Sequence, residues 1–281
     1  MLSTYSNILF ISRPRIWLYT LGSFLFGIQV AMVLGFEIVW FEVLVLSLLL
    51  TVPVNALLYS LNDYFDFESD KQNPKKDAYE YRSAKPDQRL LIIALGSLLV
   101  ISLGMLYQDL LLVQLFILWI LIILTYNIPP LRFKARPGLD MLFALNFPLW
   151  GFVGYIAVAN QWPSLESLVP VTLLAMMFHL YTAIHDMPFD KKAGVHTSAV
   201  YVGSARLNII FCILLTIGAF ASLIYFGWFW IGILVLLYAI FLVLHLCNNW
   251  LSADLLEAYK YFIGLHYIVG FLASLILFMY I

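Results

Sequence analysis

Asn62-Asp63-Tyr64-Phe65-Asp66-Phe67-Glu68-Ser69-Asp70 closes an apolar run that reads Val43 to Leu61. Carboxylates at the end of a hydrophobic span demand a reason, because charge beside lipid is costly. On a helix turning about 100° per residue, Asp63, Asp66 and Asp70 fall within an arc of roughly 60°, so one face carries all three. Like charges so placed repel. A hard divalent cation relieves the repulsion, and Mg2+ usually takes one or two carboxylates and completes its shell with water and phosphate oxygens. The alternative is a solvated acidic loop just outside a membrane. A second pair weighs against that alternative: Asp186 and Asp190, in His185-Asp186-Met187-Pro188-Phe189-Asp190-Lys191-Lys192, directly follow the apolar run Leu168 to Ile184. Their spacing of four puts both on one helical face, with Pro188 expected to bend or tighten the backbone.

The rest of the chain supplies the membrane. Of 281 residues, 63% are hydrophobic and 11% charged, against about 25% charged in a soluble domain, and the mean hydropathy is +0.94. Apolar runs lie near 16–36, 43–61, 90–107, 110–126, 139–159, 166–185, 207–226, 229–247 and 262–281, each close to the about 20 residues that a bilayer core requires. Their continuity, without alternation, argues against a barrel. The expected fold is all-α: one polytopic membrane domain over 1–281 with nine spans. The first run is long and lacks a small-residue cleavage site, so it is read as a span rather than a signal peptide.

Charge orients these spans. Arg13 and Arg15 precede the first; Lys71, Lys75, Lys76, Arg82, Lys85 and Arg89 follow the second. Arg132, Lys134 and Arg136 follow the fourth; Lys191, Lys192 and Arg206 the sixth; Lys260 the eighth. These are all 15 Lys and Arg residues, and the opposite loops hold none. The positive-inside rule puts the N-terminus and both acidic clusters in the cytoplasm and Ile281 outside. A net charge of −1 gives no basic surface for nucleic acid. No phosphate-binding glycine loop is present, so nucleotide-driven transport has no support. Cys212 and Cys247 fall inside spans as small apolar residues; His179, His245 and His266 are scattered singly, without zinc spacing.

Other segments join or frame the acidic clusters. Ser12-Arg13-Pro14-Arg15-Ile16-Trp17-Leu18-Tyr19 suits a helix start anchored in the headgroup zone. Asn55, seven residues before Asn62, either lines a polar cavity beneath the aspartates or bonds a neighbouring helix. Lys71 to Arg89 is long enough to be a lid. Tyr126-Asn127-Ile128-Pro129-Pro130-Leu131-Arg132-Phe133-Lys134 stops a helix at a double proline, and an extended segment is expected to project Arg132 and Lys134 to one side.

The clusters end spans two and six, four spans apart and on one side, as expected of two similar four-span halves, about 12–126 and 139–247, with a ninth span at 262–281. Together with Asn62-Asp-x-x-Asp-x-x-x-Asp70, Tyr126-Asn-x-Pro-Pro-Leu-Arg132 and Asp186-x-x-x-Asp190, this arrangement closely resembles the UbiA-type intramembrane prenyltransferases across essentially the whole chain. The resemblance implies nine helices around a central cavity capped by cytoplasmic loops. It implies Mg2+ as cofactor, an allylic prenyl diphosphate as donor substrate and a lipophilic acceptor drawn from the lipid bilayer, with no protein partner. By position, Asn62, Asp63, Asp66 and Asp70 match the first diphosphate and Mg2+ site, and Asp186 and Asp190 the second. Tyr126, Asn127, Arg132, Lys134 and Lys191 match flanking substrate-binding positions. Where many members carry Arg-Pro-Leu or Arg-Pro-Ile after the first motif, this chain has Arg82-Ser83-Ala84-Lys85-Pro86. Arg13 to Tyr19 followed by Gly22 is similar to the opening of the lycopene elongase branch, which implies a carotenoid acceptor; an aromatic acceptor is the alternative. A secondary transporter is disfavoured, because its carboxylates should lie at mid-membrane.

Overall fold

The computed structural model describes residues 8–70, 85–105, 109–247 and 255–281. The stretch 71–84, read above as the core of a lid, lies outside the described residues, as does Trp250. Among the described residues the secondary structure is helical throughout, with no strand. Eight stretches are long and apolar enough to cross a membrane, from Pro14–Val33 to Leu256–Phe278. Lys85–Met105, of 21 residues, stands where the remaining expected span falls. The protein is an integral, multi-pass membrane protein. Its described residues divide into two compact units, one within Met1–Arg132 and Leu149–Trp162, the other within Phe133–Pro148 and Pro163–Ile281.

After one helical turn at 8–11, the first unit continues with a 3-10 stretch, Pro14–Tyr19, that Pro14 starts, followed by α1 (Leu21–Val33). The second span is not one helix: α2 (Trp40–Leu49) and α3 (Val52–Phe65) are separated at Leu50–Thr51. Pro53 explains the break, since its ring nitrogen cannot donate to the preceding turn. Asn55 repairs it. Its Nδ2 donates to Leu50 O at 2.7 Å and Thr51 O at 2.8 Å, and to Thr20 Oγ1 at 2.8 Å, while Thr20 Oγ1 donates to Leu50 O at 3.0 Å. Asn55 is fully buried, so of its two expected roles the structure supports the bond to a neighbouring helix.

After α4 (Lys85–Met105), α5 (Leu110–Asn127) begins at Asp109, whose side chain accepts from the Leu111 and Leu112 amides. It ends before Pro129-Pro130, as a residue ahead of proline favours extended backbone. The helix α6 (Asn146–Ala159) follows a 3-10 stretch, Asp140–Leu145. Within the first unit its glycines touch α1 directly: a Cβ on Gly154 would lie 2.0 Å from Phe24 O, and one on Gly27 would lie 1.9 Å from Gly151 O. Small residues let helices close to backbone contact in lipid. Trp150 is fully buried, 5.6 Å from the Phe116 ring and 5.1 Å from that of Trp119.

The second unit is built on α7 (Leu165–Lys192), which runs 28 residues through Pro170 and Pro188. Pro188 does not end it, because proline's fixed φ is itself helical and the loss is one backbone bond. The helix therefore extends seven residues past the apolar run ending at His185 and carries Asp186 and Asp190 on its last turns. A short α8 (Ser198–Val202) and α9 (Ala205–Tyr225) follow. Cys212 on α9 packs against α7 through Met177 O. α10 (Phe229–Cys247) meets α9 where Ala219 and Leu223 pack with Val235, and α11 (Leu255–Phe278) closes the chain. Asp140, almost fully buried, accepts hydrogen bonds from Ser198 N at 2.7 Å and from Ser198 Oγ, and Ser198 Oγ accepts from Gly138 N. That network ties the loop after α5 to the loop after α7.

Candidate active site

In the first unit the acidic motif ends α3. Asp63 lies on its last turn and Asp66 caps it, followed by one further turn, Phe67–Asp70. The motif is not one straight helix: Asp66 leaves helical geometry, although its amide still reaches Asn62 O at 2.9 Å and Asp70 N reaches Asp66 O at 2.9 Å. Asp63 and Asp66 are buried, and each is held by an arginine from elsewhere in the chain. Arg13 Nη2 donates to Asp63 Oδ1 at 2.7 Å, with side chains only 9% and 7% exposed. Arg132 Nη2 donates to Phe65 O at 3.3 Å and stands 3.5 Å from Asp66 Oδ1. Tyr59, one turn before Asp63 on the same face, lies under the Arg13 guanidinium at 4.3 Å.

Arg13 is thus not the headgroup anchor its position suggested; its neighbour Arg15 is the exposed one. Sequence reasoning missed Arg13 because an arginine ahead of a span is ordinarily topogenic. Its place before Pro14 gave no signal, since a residue ahead of proline favours extended backbone and Arg13 is left-handed, at φ 50. The expected extended segment after the double proline is also corrected. The Pro129-Pro130 peptide is cis, Arg132 has φ 34 and Phe133–Ala135 forms a 3-10 turn. Arg132 N closes the loop onto Ile128 O, so Arg132 turns back to the acidic motif instead of projecting in line with Lys134. Upstream, Tyr126 and Asn127 are buried on the last turn of α5; Asn127 Nδ2 donates to Ile123 O at 2.7 Å, which leaves its Oδ1 an acceptor without a donor.

In the second unit Asp190 is buried, Asp186 half-buried and Lys191 exposed. His185 Nδ1 lies 3.2 Å from Asp186 Oδ1, and the His185 ring packs against Tyr259. Six residues before His185, the buried His179 is within electrostatic reach of Asp140, Lys134 and Asp186. The face of α7 inward of these charges is aromatic. Phe178 stacks on Phe262 at 5.7 Å, and Tyr181 lies 4.0 Å from Phe262 while its hydroxyl bonds His245 Nδ1 at 2.7 Å.

Among the described residues no three His, Cys, Asp or Glu side chains gather as a preformed metal cage. The donor set nonetheless fits Mg2+, which needs only one or two carboxylate oxygens from protein and draws the rest from water and phosphate. Asp63 and Asp66 are such hard donors, three residues apart and buried at a helix end.

A sequence profile of the UbiA prenyltransferase family matches residues 16–277. The chain belongs to this family, and it is a membrane prenyltransferase. It is 31% identical over 268 residues to a lycopene elongase/hydratase of Haloarcula japonica, covering 95% of this chain and 89% of the relative. To a lycopene elongase/hydratase of Corynebacterium glutamicum it is 28% identical over 302 residues, covering 99% and 98%. Its fold matches that of a UbiA homolog from Archaeoglobus fulgidus bound to DMAPP and Mg2+, with TM-score 0.73, 19% identity and coverage of 97% of this chain and 98% of that one.

Proposed function

We propose that this protein transfers a prenyl group from an allylic diphosphate, of the class of dimethylallyl diphosphate, to a carotenoid end such as that of lycopene, with Mg2+ as cofactor. The observation that carries the chemistry is the buried Asp63 and Asp66 pair, each with a guanidinium at hand. Support for the acceptor comes from the two lycopene elongase/hydratase relatives, which match nearly the whole chain.

Asp63 and Asp66, with Asn62 and Asp70, hold the first metal and diphosphate position. Asp186 and Asp190 form the second, with Lys134, Lys191, Tyr126 and Asn127 as further diphosphate contacts. When bound, Mg2+ neutralises the diphosphate oxygens and makes the diphosphate a better leaving group. Arg132 adds fixed positive charge where negative charge grows as the C1–O bond breaks and its electron pair passes to the diphosphate. The allylic cation so formed is attacked by the terminal double bond of the acceptor. A new C–C bond results, with a tertiary cation that loses a proton or captures water. Apolar surroundings keep water from the first cation, and aromatic faces such as Tyr181 and Phe262 stabilise positive charge. A cytoplasmic N-terminus and cytoplasmic acidic clusters, which the charge segregation of the loops supports, and two similar four-span halves, about 12–126 and 139–247, belong to the same proposal.

Purified protein given dimethylallyl diphosphate and Mg2+ is expected to extend lycopene. Asp66→Asn, which removes a hard ligand at nearly constant size, should lower that activity by at least about a hundredfold while the protein still folds. Prenylation of a phenol such as 4-hydroxybenzoate with no product from lycopene overturns the acceptor; turnover that survives chelation of the metal overturns the mechanism.

A further inference from the structure

Three non-glycine residues among the described ones have positive φ: Arg13 at 50°, Arg132 at 34° and Asn160 at 49°. Two of the three are the arginines that grip Asp63 and Asp66. Left-handed backbone is unfavourable for a residue with a Cβ and persists where its surroundings hold it. The chain therefore bends at both points to deliver a guanidinium to each aspartate. Arg13 is held further by the Tyr59 ring at 4.3 Å, and its own carbonyl accepts from Ile16 N at 2.7 Å.

Each carboxylate has a guanidinium against it, with Asp63, Asp66 and Arg13 little exposed and Arg132 33% exposed. A divalent cation arriving alone puts two positive charges beside two arginines, of which Arg13 is little exposed. A diphosphate arriving alone meets two carboxylates. Arriving together they cancel, because the metal takes the carboxylates and each arginine that a carboxylate gives up faces an anion instead. We infer that Arg13 and Arg132 are counter-ions that the metal and diphosphate must jointly replace, and that this exchange makes binding of the two mutually dependent. The inference rests on the reading of Asp63 and Asp66 as metal ligands and adds Arg13 to that site as a positioning residue.

The test measures Mn2+ binding to the full protein in detergent, by the paramagnetic resonance of free Mn2+, with and without inorganic pyrophosphate and corrected for the complex the two form in solution. In the wild type, pyrophosphate should tighten Mn2+ binding at least about tenfold, and Mn2+ should tighten pyrophosphate equally, since coupling is reciprocal. Arg13→Gln removes one positive charge, so Mn2+ alone should bind about tenfold more tightly and the effect of pyrophosphate should shrink to about twofold. Arg13→Lys keeps the charge and should stay near the wild type. If Arg13→Gln does not fold, Arg132→Gln makes the same test at Asp66. Arg13→Gln that binds Mn2+ more weakly, or with unchanged coupling, overturns the counter-ion role and leaves the proposed function standing. Wild type that binds no Mn2+ with or without pyrophosphate overturns the metal site itself.

Discussion

A buried polar side chain in a membrane helix is an unsettled sign, because the same residue serves a substrate or repairs a backbone. Asn55 repairs one. Its amide donates to Leu50 O and Thr51 O across the break before Val52, and replacing it by an apolar residue removes both bonds, leaving Leu50 O to Thr20 Oγ1. Asn55→Leu is expected to cost about 1–3 kcal/mol of stability, read as a lower midpoint in thermal unfolding; an unchanged midpoint would show that the break needs no support. Asp140 has the same character. Both its oxygens are taken by Ser198, so it is a structural carboxylate although it lies near the charges that surround His179.

At the level of helices, small residues and proline breaks govern placement. Gly27 and Gly154 bring α1 and α6 to backbone contact in the first unit, with no room for a methyl group. Gly27→Ala is therefore expected to destabilise by about 1–3 kcal/mol, the range for forcing extra volume into a packed interior. Gly264→Ala, in α11, is the control: nothing lies within 4 Å of its Cβ position, and alanine's higher helix propensity should raise stability by up to about 1 kcal/mol. Thermal unfolding of both variants checks the pair, and similar midpoints would refute the close crossing. The proline at position 53 breaks its span and those at 170 and 188 do not. The break at Pro53 is bridged by the Asn55 side chain, and the 14 residues of α3 separate it from the acidic motif's own departure from helix at Asp66.

For the whole molecule, the pattern to test is that, with nine spans, all 15 Lys and Arg residues would fall on one side of the membrane, which we propose is the cytoplasmic one. Single cysteines introduced at Arg136 and Ala193, in a protein lacking Cys212 and Cys247, are expected to react with impermeant reagents only from the cytoplasm. One at Gln161 should react only from outside. Labelling of positions 136 and 193 from opposite sides would break the proposal that both acidic clusters serve one diphosphate.

What the sequence determined by itself is what neighbours along the chain encode. Bilayer thickness sets the length of an apolar run, so the spans could be counted; position in the sequence set Asp63 and Asp66 at the end of α3, and Asp186 and Asp190 on the last turns of α7. Those local patterns also carried the family. Only the tertiary structure decided which distant groups meet. Nothing in the spacing of Arg13 and Asp63, 50 residues apart, distinguishes a counter-ion from a headgroup anchor. The backbone turn at Arg132, which sends it to Asp66 rather than alongside Lys134, likewise depends on what packs around it. A residue's periodicity is a property of its own helix, whereas its partner is chosen by how helices pack, and buried charge makes that choice strict because an unpaired charge out of water costs more than the strain of bending the chain to reach it.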